Sequence, residues 1–148
     1  MLRGTSYHSL DGKGRFILPS RFRREIGGEG SVLVITGFDN ALFAYSYDEW
    51  IRKEEEIHSL TEKNRAFRRF RRFFVGSAEE CKVDKQLRVL IPQPLREYAD
   101  LKKEIVLVGS LDHFEIWSKK RLQEDRRKFL EEDLENEEMS GGFAKLGL

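Results

Sequence analysis

One stretch of this chain occurs twice, and the duplication restricts the folds open to it more than any other feature. Asp11-Gly12-Lys13-Gly14-Arg15-Phe16-Ile17-Leu18-Pro19-Ser20-Arg21-Phe22-Arg23 returns as Asp84-Lys85-Gln86-Leu87-Arg88-Val89-Leu90-Ile91-Pro92-Gln93-Pro94-Leu95-Arg96. At an offset of 73, Asp11 meets Asp84, Arg15 meets Arg88, Pro19 meets Pro92 and Arg23 meets Arg96. Three apolar residues separate each arginine from its proline. The echo continues at an offset of 72, from Gly37 to Gly109 and from Ser46 to Ser118, so one loop is a residue shorter in the second copy. A fixed internal period of this kind means a repeated supersecondary unit.

Each copy carries the same order of signals. A polar turn leads into a short apolar run (16–18, 89–91) that a proline closes, because proline removes a ladder donor. Ser20 is placed to cap a helix over 21–26 with Phe22 and Ile26 on one face, and Gly27 and Gly28 end it. In the second copy Pro94 suits the first helical position, with Leu95, Tyr98 and Ala99 as the apolar face. A β-branched strand, a turn and a strand ending in an aromatic follow. The unit therefore reads strand, strand, short helix, strand, strand. A unit of roughly 45 residues buries too little surface to be stable alone, so the two copies should share one core about a pseudo-twofold axis. The predicted class is α+β, mainly β.

The order Asp-x-Lys-Gly-Arg, three apolar residues, Pro, then Arg-Phe-Arg, repeated once, resembles the MraZ family. Arg68-Arg69-Phe70-Arg71-Arg72-Phe73-Phe74, Leu95-Arg96-Glu97-Tyr98-Ala99 and Phe114-Glu115-Ile116-Trp117-Ser118 carry the likeness further. The resemblance implies two swapped-hairpin (AbrB-like) repeats in one chain, sharing a β-barrel-like core. It implies a bacterial DNA-binding regulator that assembles into rings. It also implies repeated DNA boxes upstream of the division and cell-wall gene cluster, including the regulator's own gene. The expected division is a first repeat over 5–47, a helical hairpin linker over 48–75, a second repeat over 76–119, and a C-terminal helix with a flexible acidic tail over 120–148.

Within the linker, Ser46-Tyr47-Asp48-Glu49 has the capping-box pattern and should start a helix over 48–59, with Trp50, Ile51, Ile57 and Leu60 available for burial. Thr61 is placed to cap a second helix running to residue 74. Phe67, Phe70 and Phe74 fall on one face of it, which is what a packed helix looks like. Arg65, Arg68, Arg69, Arg71 and Arg72 cover the other faces, where Glu54, Glu55 and Glu56 could pair with them. Residues 119–138 read as a helix whose basic start and acidic end oppose its dipole, and 140–148 as disordered.

The formal net charge of +1 conceals segregation. Residues 1–24 hold Arg3, Lys13, Arg15, Arg21, Arg23 and Arg24 against Asp11 alone. Residues 131–138 hold six acids and no base. A basic head of this kind points to a polyanion. Other classes lack their signatures. No apolar run approaches the ~20 residues of a membrane span, and no basic-then-apolar leader starts the chain, so the expected location is the cytoplasm, at the nucleoid. His8, His58 and His113 lack metal-ligand spacing, and Cys81 is the only cysteine. No nucleophile–base pair, cofactor motif or small-molecule site is evident, and the chain does not read as an enzyme.

The candidate DNA-binding residues are therefore Lys13, Gly14 and Arg15 of the first loop, Lys85 and Arg88 of the second, and Arg3. Gly12 and Gly14 allow a tight turn and close backbone approach. Lysine suits a phosphate as a point charge, and arginine forks onto phosphate or onto guanine O6 and N7. Asp11, Gly12 and Asp84 are expected to organise the turns. In the second loop Lys85 stands for Gly12 and Leu87 for Gly14, so its backbone is expected to differ, and Lys13 and Arg15 rank ahead of Lys85 and Arg88. The partner is double-stranded DNA, and a homo-oligomer gains affinity by presenting several loops at once. The alternative is an antitoxin-like or protein-interaction module without specific promoter binding.

Overall fold

The local signals fold as the repeat requires. A computed structural model describes residues 1–61 and 63–148. The first copy supplies β1 (Thr5–Ser9), β2 (Arg15–Ile17), α1 (Ser20–Ile26), β3 (Val32–Phe38) and β4 (Ala41–Ser46). Two helices follow, α2 (Tyr47–Ser59) and α3 (Arg65–Phe74). The second copy supplies β5 (Glu79–Lys82), β6 (Arg88–Leu90), α4 (Gln93–Tyr98), β7 (Glu104–Ser110) and β8 (His113–Ser118). These elements form one compact body, Met1–Ser118, and residues Lys119–Leu148 form another.

In the first body six strands form one antiparallel sheet in the order β1-β7-β8-β4-β3-β5, and β2 and β6 form a separate two-stranded ribbon. The first strand of each repeat pairs with the third strand of the other. Thr5 opposes Val108, and Cys81 opposes Leu33. Neither repeat completes its own sheet, which is the physical reason the two cannot be separated. The sheet is open, with β1 and β5 as its edges, so the expected barrel-like closure is replaced by a sheet and a ribbon.

Alternation along the strands divides the core in two. Leu33 and Ile35 of β3 and Leu42 and Ala44 of β4 join the main cluster, with Phe16 and Val89 from the ribbon, Phe22 from α1 and Leu95 from α4. Phe22 stacks on Phe114 at 4.9 Å between ring centres. Val34 and Tyr45 point the other way and pack with Trp50 and Ile57 of α2 and Phe74 of α3. The ribbon, α1 and α4 thus contribute to the cluster on one face of the sheet, and α2 and α3 to the cluster on the other.

Several helix ends differ from expectation. Pro19, in extended conformation, caps α1; Ser20 is already helical and makes no capping bond. Pro94 is the second residue of α4. Gly27 ends α1 with φ 104°, as expected. Ser46 accepts from the Glu49 N–H at 3.3 Å and caps α2. Asn64, not Thr61, caps α3, accepting from the Phe67 N–H at 2.7 Å; an Asn side chain three residues ahead of a free N–H outcompetes the more distant threonine. Leu60 is exposed. Phe67 and Phe70 pack beside Phe74, in keeping with their helical spacing. The α3 arginines are exposed, and none pairs with Glu54, Glu55 or Glu56 among the described residues, because Glu54 instead accepts from the Trp50 indole and Glu56 pairs with Lys53.

The second body is not one continuous helix with a disordered end. It consists of α5 (Lys119–Lys128), a single π turn (Phe129–Asp133) and α6 (Glu137–Lys145). Arg127 holds Glu124 and Glu131, each at 2.6 Å, across the junction, and Arg126, Arg127 and Lys128 close α5 with the sign its dipole favours. Asn136 caps α6 by accepting from the Glu138 N–H at 2.8 Å. The helices start 72 residues after their predecessors, Lys119 after Tyr47 and Glu137 after Arg65, and the caps Asn64 and Asn136 share that offset. The repeat therefore extends beyond the strands into both helical pairs, a signal legible in the sequence but hidden because 65–72 is rich in arginine while its counterpart 137–144 carries Glu137 and Glu138 and no base. No described helix is long and apolar enough to cross a membrane.

Candidate nucleic-acid interface

The ribbon brings the two charged loops together. Arg15 opposes Leu90, Phe16 opposes Val89 and Ile17 opposes Arg88. Phe16 and Val89 are buried, so by alternation Arg15, Ile17, Arg88 and Leu90 share the outward face. Ile17 and Leu90 are 57% and 50% exposed, an unusual display for aliphatic residues in a three-residue strand. Arg15 and Arg88 are diagonal neighbours, about 7–8 Å apart on regular antiparallel geometry.

Each loop is an Asp-organised turn of the same design. Asp11 accepts from the Lys13 N–H at 3.0 Å and the Arg15 N–H at 2.9 Å through one oxygen, and from Arg15 Nε at 2.7 Å through the other. Asp84 accepts from the Gln86 N–H at 2.9 Å, the Arg88 N–H at 2.8 Å and Arg88 Nε at 2.9 Å. The bonds from the Arg15 backbone and side chain hold the Asp11 carboxyl down at about 2, and those from Arg88 lower Asp84 likewise. Both aspartates stay charged at any physiological pH, and each fixes its arginine at Nε while leaving the far end of the guanidinium pointing on. In Arg88 that end is partly engaged, since Nη2 donates to Gln86 Oε1 at 3.2 Å. Neither Nη of Arg15 has such a bond among the described residues.

The second loop keeps the backbone of the first despite its missing glycines. Gly14 has φ 88° and Leu87 has φ 63°. Leucine takes the left-handed conformation at a cost of roughly 1–2 kcal/mol, which the surrounding bonds enforce. The Leu87 N–H donates to Asp84 O and the Gly14 N–H to Asp11 O, both at 3.0 Å; the Leu87 carbonyl accepts from the Leu18 N–H at 2.9 Å and the Gly14 carbonyl from the Ile91 N–H at 3.0 Å. Each loop is tied to the strand end of the other repeat.

Lys13 and Lys85 are exposed at the two loop tips. Gly12 has open space around it, whereas Gly14 is buried beneath a side chain from the other repeat, Arg96. Arg3 lies elsewhere. Its backbone passes Gly109 of β7, so it stands at the end of β1 away from the first loop. The repeat matches Arg23 with Arg96, yet nothing in the sequence alone gives either a place in the site. Among the described residues no group of His, Cys, Asp and Glu is arranged to hold a metal ion.

Comparison with known proteins agrees with this construction. The family described as "MraZ protein, putative antitoxin-like" matches residues 1–73 and again 74–140. The protein named transcriptional regulator MraZ in Desulfosudis oleivorans is 49% identical over 148 residues, covering 100% of both chains. Its namesake in Desulforapulum autotrophicum is 49% identical over 150 residues, again covering 100% of each. That of Caldicellulosiruptor saccharolyticus is 43% identical over 148 residues with the same coverage. With the duplicated Asp-loop, the paired ribbon and two consecutive family matches in one chain, this protein belongs to the MraZ family.

Proposed function

We propose that the chain is a transcriptional regulator that reads duplex DNA in a sequence-specific way, with the β2–β6 ribbon and its two loops as the reading surface. The observation that carries this is the pair of outward arginines, each clamped at Nε by its own aspartate. A guanidinium held this way presents a planar pair of donors with little conformational entropy left to lose, the geometry that guanine O6 and N7 accept. A two-stranded ribbon is also narrow enough to enter a major groove about 12 Å wide. Lys13 and Lys85 at the tips contact phosphates and set register, and Arg15 and Arg88 read bases.

One ribbon offers few contacts, so binding by a single copy is weak. A homo-oligomer, a ring in the reading the family suggests, presents several ribbons to repeated boxes upstream of the division and cell-wall genes, its own gene included, and gains by avidity. The swapped-hairpin description fits the exchange of first strands between repeats. The setting is the cytoplasm, at the nucleoid. The test is a salt-titrated mobility shift on DNA from just upstream of the protein's own gene, wild type beside Arg15→Ala. Stepwise shifts on that DNA alone, lost in the variant while its assembly mass is unchanged, are the expected result. Equal, weak, salt-sensitive binding by both proteins would sink the reading. It would leave the antitoxin-like module, whose supporting feature is the exposed acidic run over 131–138.

A further inference from the structure

Arg23 and Arg96 occupy matching places in the two repeats, and each has its Nε buried without a hydrogen-bond partner. Such a group ordinarily costs stability. Neither arginine pairs with a carboxylate among the described residues. Arg96 lies across the first loop. A Cβ built on Gly14 would stand 2.1 Å from Arg96 Nη1, 2.5 Å from Cζ and 2.8 Å from Nε. The guanidinium therefore occupies the space a side chain at position 14 would need. In the second loop Leu87 fills the matching space with its own side chain. In the second loop the place of Lys103 is taken by Ser31, whose carbonyl accepts from the Val83 N–H at 2.9 Å.

Beside this contact is an open cavity of about 400 Å³, bordered by Asp11, Gly12, Gly14, Arg96, Lys102 and Lys103. Lys103 is fixed next to the loop because its carbonyl accepts from the Leu10 N–H at 2.8 Å. Lys102 is partly neutralised by Asp100 at 3.1 Å. The Asp11 carboxylate is covered by its three donors. The uncompensated charge facing the cavity is thus that of Arg96 and Lys103. Gly12, with nothing within 4 Å of a would-be Cβ, leaves the loop backbone approachable on the same side.

We propose that Arg96 and Lys103 form a phosphate seat for the DNA backbone beside the first loop, so that the second repeat completes the reading loop of the first. A flat arginine and a mobile lysine around an open cavity suit an oxyanion with two or more free oxygens. The inference rests on the DNA-reading function proposed above, and it makes the two loops unequal. The first has base-reading and phosphate-holding groups; the second has Leu87 at the position of Gly14 and Ser31 at that of Lys103.

The experiment is fluorescence anisotropy with the full chain on upstream duplex and on scrambled duplex, over a series of KCl concentrations. Wild type is compared with Lys103→Met, Arg96→Met and the double variant. Each lost phosphate contact should make the negative slope of log K against log[KCl] shallower by about 0.9, so the double variant should be shallower by about 1.8 on both duplexes while the ratio between duplexes is kept. Lys103 is exposed, and its substitution leaves the fold intact even where Arg96→Met disturbs the loop. Unchanged slopes in Lys103→Met and the double variant would overturn the proposal. So would a collapsed ratio at unchanged slope, which would make Arg96 a support for the loop only. Replacing KCl by potassium phosphate at equal ionic strength separates the two sources of the anion. Extra competition by free phosphate, with variant slopes equal to wild type, would assign the seat to the small anion and overturn its DNA role. Failure of the wild type to prefer upstream DNA would sink the reading function, while the slope difference between wild type and variants would still decide for or against the seat.

Discussion

Replacing Arg15 by lysine tests the reading geometry while keeping the charge. In the structure Arg15 spends Nε on Asp11 at 2.7 Å and keeps both Nη groups for a partner. Lysine cannot make that division, since its single ammonium either returns to Asp11 or reaches the DNA as a point charge. The loss is then one bidentate base contact, about 1–3 kcal/mol for each engaged loop, or roughly 5- to 150-fold in affinity for the specific duplex. The salt slope should stay within error of wild type, because the number of cations near the phosphates is unchanged. Anisotropy titrations on specific and scrambled duplexes over several salt concentrations give both quantities. Arg88→Lys should cost less, because Nη2 of Arg88 already donates to Gln86 at 3.2 Å. An Arg15→Lys protein that keeps its specific-to-scrambled ratio within about twofold would refute the claim that the Asp-clamped fork reads bases. A ratio lost together with the slope would point instead to a disordered loop.

Three further outcomes follow from the same structure. The Asp11 carboxyl should titrate at about 2 by carbon-detected NMR, and Arg15→Ala should move it toward 3.8; as its folded value is depressed, the stability it contributes is present above about 3.8 and lost as pH falls through about 2, and a wild-type midpoint near 3.8 would remove the clamp. Thr36→Val deletes the buried hydroxyl that donates to the Phe74 carbonyl at 2.6 Å and ties α3 to β3; it should cost about 1–3 kcal/mol and lower Tm by about 2–4 °C per kcal/mol, and calorimetry showing no change would refute it. For His113, burial opposes protonation, but hydrogen bonds to Glu115 and Asp112 outweigh it and raise the pKa above 6.5. Its charged form therefore stabilises the fold at acid pH, and that contribution fades as pH rises through the raised value; urea midpoints measured from pH 5.5 to 8.5 should fall less steeply in His113→Gln, and parallel curves would contradict this.

Much of this protein is legible in its sequence because short-range chemistry decides it. The offset of about 72 residues, the strand-ending prolines, Gly27 after α1 and the aspartate four residues ahead of each arginine are local signals whose partners lie within one turn. The Asp-to-Arg clamp is the clearest case, since all three of its hydrogen bonds close within residues 11–15. The helical spacing of Phe67, Phe70 and Phe74 likewise identifies a buried face without any knowledge of what it packs against.

Other features are settled only by the tertiary structure. That the first strand of each repeat belongs to the sheet of the other depends on which of several equivalent edges pair, and the register of an antiparallel ladder leaves no trace in either strand alone. Leu87 reads as a poor turn residue, yet it takes the left-handed conformation because its carbonyl is committed to Leu18 of the other repeat. Arg96 shows no sign in sequence of its position over Gly14, 82 residues away. Its side chain reaches that loop only because β2 and β6 pair, and pairing across the repeats is a property of the whole core.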